Sequence, residues 1–325
     1  MPAAPSLHLH QQRTRIIWLL IAAMAAGAAI SFLWLGLSID LRSNPGLIAS
    51  CIGYAGLCYF YTAIRRDERI ASAAIAAGQL FLVLFTGLLL TYAATATAMP
   101  YRDAELHALD QWIGFDRKTY LAFVERHPLL QQALDAAYLS IQPQTVLVPF
   151  ALIMAGQLPR LQNFIVAFGV ALIITAITAS FVPAVSAFIH VDLGPQGYAA
   201  LPAGHYTHVP TLEALRSGAM HAIPLNNLEG LITFPSFHTA NGVLFAWAFW
   251  KIPYLRWAGI AVNTLLILST PTTGAHYFVD VGAGAAVAVA SIAMSGWILG
   301  QHAAIHAPHI NSAGSVDIQS EASIR

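Results

Sequence analysis

The sequence predicts an all-α protein, a polytopic bundle of about eight transmembrane helices. Two observations carry that prediction. Hydrophobic residues make up 57% of the chain and charged residues only 9%, against roughly 25% charged in a soluble domain, and the mean hydropathy is +0.64. The charges also gather between long apolar runs, as expected where lipid is the solvent and every backbone amide must be satisfied within a helix. Net charge is zero, so no basic field points to nucleic acid.

A hydrocarbon core takes about 20 apolar residues to cross. Runs of that kind lie near 16–38, 46–64, 70–98, 131–157, 161–189, 236–252, 254–272 and 276–299. The first follows the basic QQRTR at 11–15 and is longer than a signal-peptide core of about 7–15 residues, so it reads as a retained span. The second holds both cysteines, Cys51 and Cys58, too few and too embedded for a disulfide framework and read as buried, inert thiols. Tyr138, Gln142 and Gln144 interrupt the fourth run; they line a headgroup pocket or bond neighbouring helices. Pro253 and two cations in KIPYLRW divide the sixth run from the seventh.

Short connections carrying Arg13, Arg15, Arg65, Arg66, Arg69, Arg160, Lys251 and Arg256 fall on the N-terminal side, which places that side in the cytoplasm. Eight spans return the C-terminus there. The expected location is a bacterial inner (plasma) membrane, with both termini cytoplasmic and the active site on the periplasmic side. Two outer connections are long: 99–130, polar and aromatic and suited to the membrane interface, and 190–234, rich in Gly, Pro and His. The tail from Gln301 to Arg325 lacks apolar period and reads as disordered.

The chemistry gathers at two span starts on the outer face. PSFH at 235–238 places Ser236 and His238 at the head of the sixth span, and GAHYFVD at 274–280 places His276 and Asp280 at the head of the eighth. His276 and Asp280 are i and i+4, on one side of a helix. Ionisable groups at a membrane span point to function by default. A neutral imidazole can attack phosphorus, a carboxylate on its other nitrogen fixes the tautomer, and a second imidazole can shuttle the proton. Helix-start amides and a serine hydroxyl suit bound phosphate.

At these residues the chain resembles the type 2 phosphatidic acid phosphatase superfamily, which shares its core with vanadium haloperoxidases. The wording FPSFHTA with GAHYFVDVGAG is closer to the inositol-phosphoceramide synthase branch. The resemblance implies a six-helix catalytic core over 70–299, two added spans within 1–69, and a tail over 300–325. It also implies that His276 is the nucleophile, Asp280 its partner and His238 the acid/base. Common members carry a Lys-x6-Arg-Pro motif before PSxH and an arginine where this chain has Thr270, while Ser269 beside it matches. No lysine lies between 119 and 250. Transferred phosphoryl oxygens need positive charge, and Arg216 in LEALRSG is the sole cation between Arg160 and Lys251. It is the expected phosphate clamp beside Ser236, against the alternative of a solvated loop arginine.

His205 and His208 are spaced i, i+3 in GHYTHVP, yet two histidines without a clear third ligand are a weak zinc signal. No metal and no cofactor is expected. His276 with Asp280 could instead be a structural pair joining helices, and Ser236 a simple helix cap. The reading is a phosphoric-ester hydrolase or lipid phosphotransferase, inositolphosphotransferase-like, working through a phosphohistidine at the outer leaflet. Its partners are a lipid phosphate or phospholipid substrate and the bilayer. The alternative is a non-catalytic membrane protein that binds or transports phosphorylated lipids.

Overall fold

The computed structural model describes residues 4–190 and 208–305. Helix α1 (Ala4–Leu35) ends where Gly36 takes a positive φ of 66°, the left-handed stop that glycine adopts without strain. Helix α2 (Pro45–Tyr59) starts on an Asn44 cap with proline in its first turn, and one π-helical turn (Phe60–Ile64) extends it. Helix α3 (Glu68–Ala96) is capped by Asp67, whose carboxylate accepts from the Arg69 and Ile70 amides. Helices α6 (Pro128–Leu139) and α7 (Ile141–Met154) follow the first outer connection and bend by 57° at Ser140. Helix α8 (Leu158–Phe181) stops short of the expected 189 because Pro183 disfavours helical backbone before it.

Helices α1, α2 with its π-helical extension, α3, α8 and α13 (Phe278–Ile305) are long and apolar enough to cross a membrane, and the bent α6–α7 pair, taken as one span, brings the number to six. The two remaining runs fold as shorter helices, α11 (Phe237–Phe249) of 13 residues and α12 (Arg256–Ser269) of 14. At about 1.5 Å per residue each spans roughly 20 Å, less than a hydrocarbon core of about 30 Å. Their apolar runs counted residues that the structure spends on turns, over 250–255 and 270–277.

Helix α8 is the axis of the bundle, with α1, α3, α11 and α13 packed around it. Leu161, Phe164, Ile165, Phe168 and Leu172 are buried along its length. Small residues bring the helices close, as in other membrane bundles. A Cβ on Gly87 would lie 2.3 Å from Leu172, and one on Gly169 2.9 Å from Leu20. Helix α2 stands apart, without a buried residue, tied to α3 where the Tyr54 hydroxyl donates to the Ala74 carbonyl at 2.6 Å. Cys51 is therefore exposed and Cys58 half-buried, both free thiols. Neither lies in the core, because α2 packs on the bundle mainly through α3 and has no buried residue.

One end of the bundle is capped by short helices: α4 (Asp103–Trp112), α5 (Arg117–Glu125), α9 (Ala187–His190) and α10 (Val209–Arg216). Strand β1 (Ser38–Asp40) pairs in parallel with β2 (Ala222–Pro224). That pairing puts the α1–α2 connection at the same end as the loop before α11, as an even number of crossings between them requires. The expected disordered tail lies outside the described residues from 306 onward, and α13 runs on to Ile305.

Candidate active site

The chain turns sharply between α12 and α13. His276 donates its backbone N–H to the Thr270 carbonyl at 3.1 Å, and Ala275 before it has a φ of +53°. Such backbone is strained for any residue with a side chain and gathers at functional sites. Asp280 follows in the first turn of α13, where negative charge is stabilised by the helix amides. His276 Nδ1 lies 3.3 Å from Asp280 Oδ2, and the same oxygen accepts from the Tyr277 amide at 2.9 Å. Both side chains are buried.

Ser236 heads α11. Its hydroxyl accepts from the Thr239 amide at 3.2 Å, and its own amide donates to the Asp280 carbonyl at 3.1 Å. The two helix starts are thus joined through backbone. Gly284 permits it: a Cβ there would sit 2.2 Å from the Ser236 carbonyl oxygen. The His238 ring comes to 5.8 Å from the His276 ring, centroid to centroid. Tyr138 stacks on His238, its ring 4.4 Å away and inclined by 15°. Gly274 makes the same kind of room, since a Cβ there would meet His276 and Tyr138, each at 2.9 Å.

A buried arginine holds the His276 turn from the cap. Arg117 Nη1 donates to the carbonyls of His276 at 2.9 Å and Pro271 at 3.1 Å, and Nη2 pairs with Asp110 at 3.1 Å. Asp110 in turn accepts from the Phe278 and Val279 amides, each at 2.9 Å, capping α13. Burial lowers the Arg117 proton affinity, opposed by the Asp110 and Asp280 carboxylates. Asp103 accepts from the Tyr277 hydroxyl at 2.9 Å and from the Val185 and Ser186 amides. Sequence reasoning passed over Arg117, Asp110 and Asp103. The available signal was spacing: Asp103, Leu106 and Asp110 repeat as i, i+3 and i+7, one face of α4 and its buried one.

Of the residues singled out in the sequence, His238, His276, Asp280 and Ser236 come together. Arg216 is placed differently. Its Nη2 donates to the Met99 carbonyl at 2.7 Å and its guanidinium lies 3.7 Å over the Tyr101 ring. Burial and a hydrogen bond to Glu213 push the Tyr101 phenol up, so the ring beneath the cation stays neutral. Arg216 meets the site's surroundings through a small cavity that Thr233 and Phe234 also line, and the Thr233 backbone neighbours the His276 ring. His208 bonds the Val185 carbonyl at 3.3 Å; His205 lies outside the described residues, and among those described no group of three candidate ligands could hold a metal. Gln144 bonds Asn263 and Ser140, a helix-joining role, while Gln142 is exposed.

A family model described as the PAP2 superfamily matches residues 104–294, more than half of the chain, including Ser236, His238, His276 and Asp280. The chain belongs to the PAP2 superfamily. No curated protein and no solved structure matches it. Superfamily membership gives a phosphatase-type function, and the apolar helices make this PAP2 protein an integral membrane one. The match opens inside α4, so α1, α2 and α3 precede it.

Proposed function

We propose that this PAP2 protein transfers the phosphoryl group of a membrane lipid phosphate through a covalent phosphohistidine at the outer leaflet. The observation that carries this reading is the buried His276–Asp280 pair facing His238 across 5.8 Å between ring centres. With Nδ1 held on Asp280, Nε2 of His276 is the proposed nucleophile. It attacks phosphorus, the lipid oxygen–phosphorus bond breaks, and His238 protonates the departing alkoxide. His238 acts as the acid in its imidazolium form and, once it has given up that proton, as the base. His238 then takes a proton from the acceptor, whose oxygen displaces His276 from phosphorus. Ser236, the helix-start amides and Arg216, swung from Tyr101 towards Thr233, are proposed to hold the phosphoryl oxygens.

Water as acceptor makes the protein a lipid phosphate phosphatase. The likeness of FPSFHTA and GAHYFVDVGAG to the inositol-phosphoceramide synthase branch supports a lipid alcohol instead, in which case the headgroup stays on phosphorus. Purified protein in detergent, supplied with lipid phosphates or with phosphatidylinositol plus alcohol acceptors, tests both. His276→Ala is expected to lower turnover by about 10³-fold or more, and His238→Ala to accumulate acid-labile phosphoprotein. Turnover in His276→Ala at the wild-type rate would remove the nucleophile assignment, and binding without turnover in the wild type would leave a lipid binder.

A further inference from the structure

Helix α4 presents two faces of different kinds. Asp103, Leu106 and Asp110 are buried against the bundle. At about 3.6 residues per turn, Leu109, Trp112 and Ile113 lie roughly a quarter turn round from them. All three are exposed, Trp112 by 84%. The other end of the helix is polar, where Arg102 and Glu105 form an exposed ion pair at 2.8 Å. A tryptophan with an isoleucine and a leucine beside it exceeds the scatter of single apolar residues normal on a protein surface. The turn that carries them is closed by its own backbone. Gly114 takes a φ of 80°, its amide donates to the Gln111 carbonyl at 3.0 Å, and the Phe115 amide donates to the Asp110 carbonyl at 2.9 Å, a glycine stop.

Two contacts fix the level of this turn along the bundle. Phe115 stacks on Phe278, ring centres 4.5 Å apart and planes inclined by 13°, and Phe278 opens the apolar stretch Phe278–Gly300 that is long enough to cross a membrane. Tyr120 donates its hydroxyl to the carbonyl of Leu268, in the last turn of α12, at 2.8 Å. Phe278 and Leu268 are exposed as well, so the lipid-facing surface of α12 and α13 continues onto the α4–α5 turn. Tryptophan gathers at this level in membrane proteins, with its ring at the apolar edge and its N–H among the headgroups.

We propose that the α4–α5 turn is seated in the lipid leaflet at the capped end, with Trp112 and Ile113 inserted, and that this seat fixes the cap's grip on the His276 turn. Asp110 precedes the inserted pair and Arg117 follows it, within one short segment of chain. Asp110 holds the Phe278 and Val279 amides, and Arg117 holds the His276 and Pro271 carbonyls. A displacement of the turn therefore shifts both grips together. Amphipathic elements of this kind bury their apolar side about 5–10 Å into the interface. A second copy of the chain is the other occupant an apolar tip could have, and continuity with the surface of α12 and α13 favours lipid. The effect on turnover rests on the proposed lipid phosphate activity; the seat itself does not.

The test places the full chain in phosphatidylcholine nanodiscs with plain or brominated acyl chains. Trp112 emission, taken as wild type minus Trp112→Phe, is expected to fall at least about twofold when bromine sits near the headgroup end of the chains. Ile113→Asp is expected to lift the turn from the leaflet and to speed exchange of the Phe278 and Val279 amides by about tenfold, with exchange in α8 unchanged. Turnover of phosphatidic acid should fall with it. Ile113→Ser gives the same directions where the aspartate variant does not fold, and Ile113→Leu should match wild type in every readout. Trp112 emission untouched by bromine overturns the proposal, as does efficient cross-linking of two copies through Trp112→Cys with Cys51 and Cys58 changed to serine. Amide exchange unmoved by the polar variants overturns the link to the His276 turn. Quenching and exchange as expected in a protein that turns over no lipid phosphate would uphold the seat while the catalytic reading failed; turnover with Trp112 unquenched would do the reverse.

Discussion

Two arginines on the capped end of the bundle are held in opposite ways. Arg216, in the loop before PSFH, is half-buried on the Tyr101 ring and bonds one carbonyl. Arg117, in the connection before α6, is 6% exposed and bonds two carbonyls and a carboxylate around the His276 turn. Position in sequence favoured Arg216, which is nearer the motifs. Wiring favours Arg117 as the cation that shapes the His276 backbone. The difference separates two jobs that positive charge can do at such a site. A cation committed to carbonyls and a carboxylate fixes geometry, and one resting on an aromatic face remains available to an incoming anion.

The largest effect is expected from Arg117→Ala. It leaves Asp110 buried without its ion pair, which costs about 3–5 kcal/mol, and frees the His276 and Pro271 carbonyls. A fall in thermal melting together with loss of turnover is the expected result, and Arg117→Lys should restore part of the stability. A melting curve matching wild type would dissolve the contrast between the arginines. Next comes Gly284→Ala. The added Cβ would meet a backbone oxygen at 2.2 Å, so α13 must move off Ser236, at about 1–3 kcal/mol for overpacking. Turnover should fall with it, since that shift separates Asp280 from the start of α11.

Arg216→Ala is expected to act on activity alone. Its contacts with Tyr101 and Met99 are worth about 1 kcal/mol or less at a partly exposed site, so melting should hardly move. If Arg216 faces the phosphate, turnover should drop by about 10–100-fold, the scale of one charge-stabilising donor. Arg216→Lys should recover part of it. Unchanged turnover would return Arg216 to a loop-anchoring role.

The motif half of the site was legible because it is local. An i, i+4 His–Asp pair and a serine ahead of a helix are read from spacing, and both appear in the structure as hydrogen bonds. The all-α membrane class was legible as well, because lipid forces the backbone into helices, but of the eight expected spans only five, or six with the bent α6–α7 pair, are long and apolar enough to cross. What stayed hidden depends on contacts across long stretches of chain. Arg117 reaches His276 over 159 positions and Tyr277 reaches Asp103 over 174, and no local pattern encodes either. The sequence also overstated the lengths of α11 and α12, because an apolar turn is indistinguishable by composition from an apolar helix. The cysteines were misplaced for a related reason: in a membrane helix apolar surroundings do not mean burial in protein, and α2 carries Cys51 on an exposed face.

The smallest effect concerns Tyr138, which the sequence left open between a headgroup pocket and helix bonding. The structure gives it a third position, stacked on His238 at 4.4 Å and packed against Gly274, whose missing Cβ leaves room for its ring. An aromatic pair of this kind is worth about 0.5–1.5 kcal/mol beyond burial. In Tyr138→Leu the apolar volume stays similar, but the flat surface that fixes the imidazole plane is lost. If that surface orients His238 for proton transfer, turnover should fall by about two- to tenfold with KM unchanged. Tyr138→Phe keeps the ring and should retain wild-type turnover, which separates the stacking face from the hydroxyl. A fall in Tyr138→Phe equal to that in Tyr138→Leu would instead assign the hydroxyl a contact with substrate.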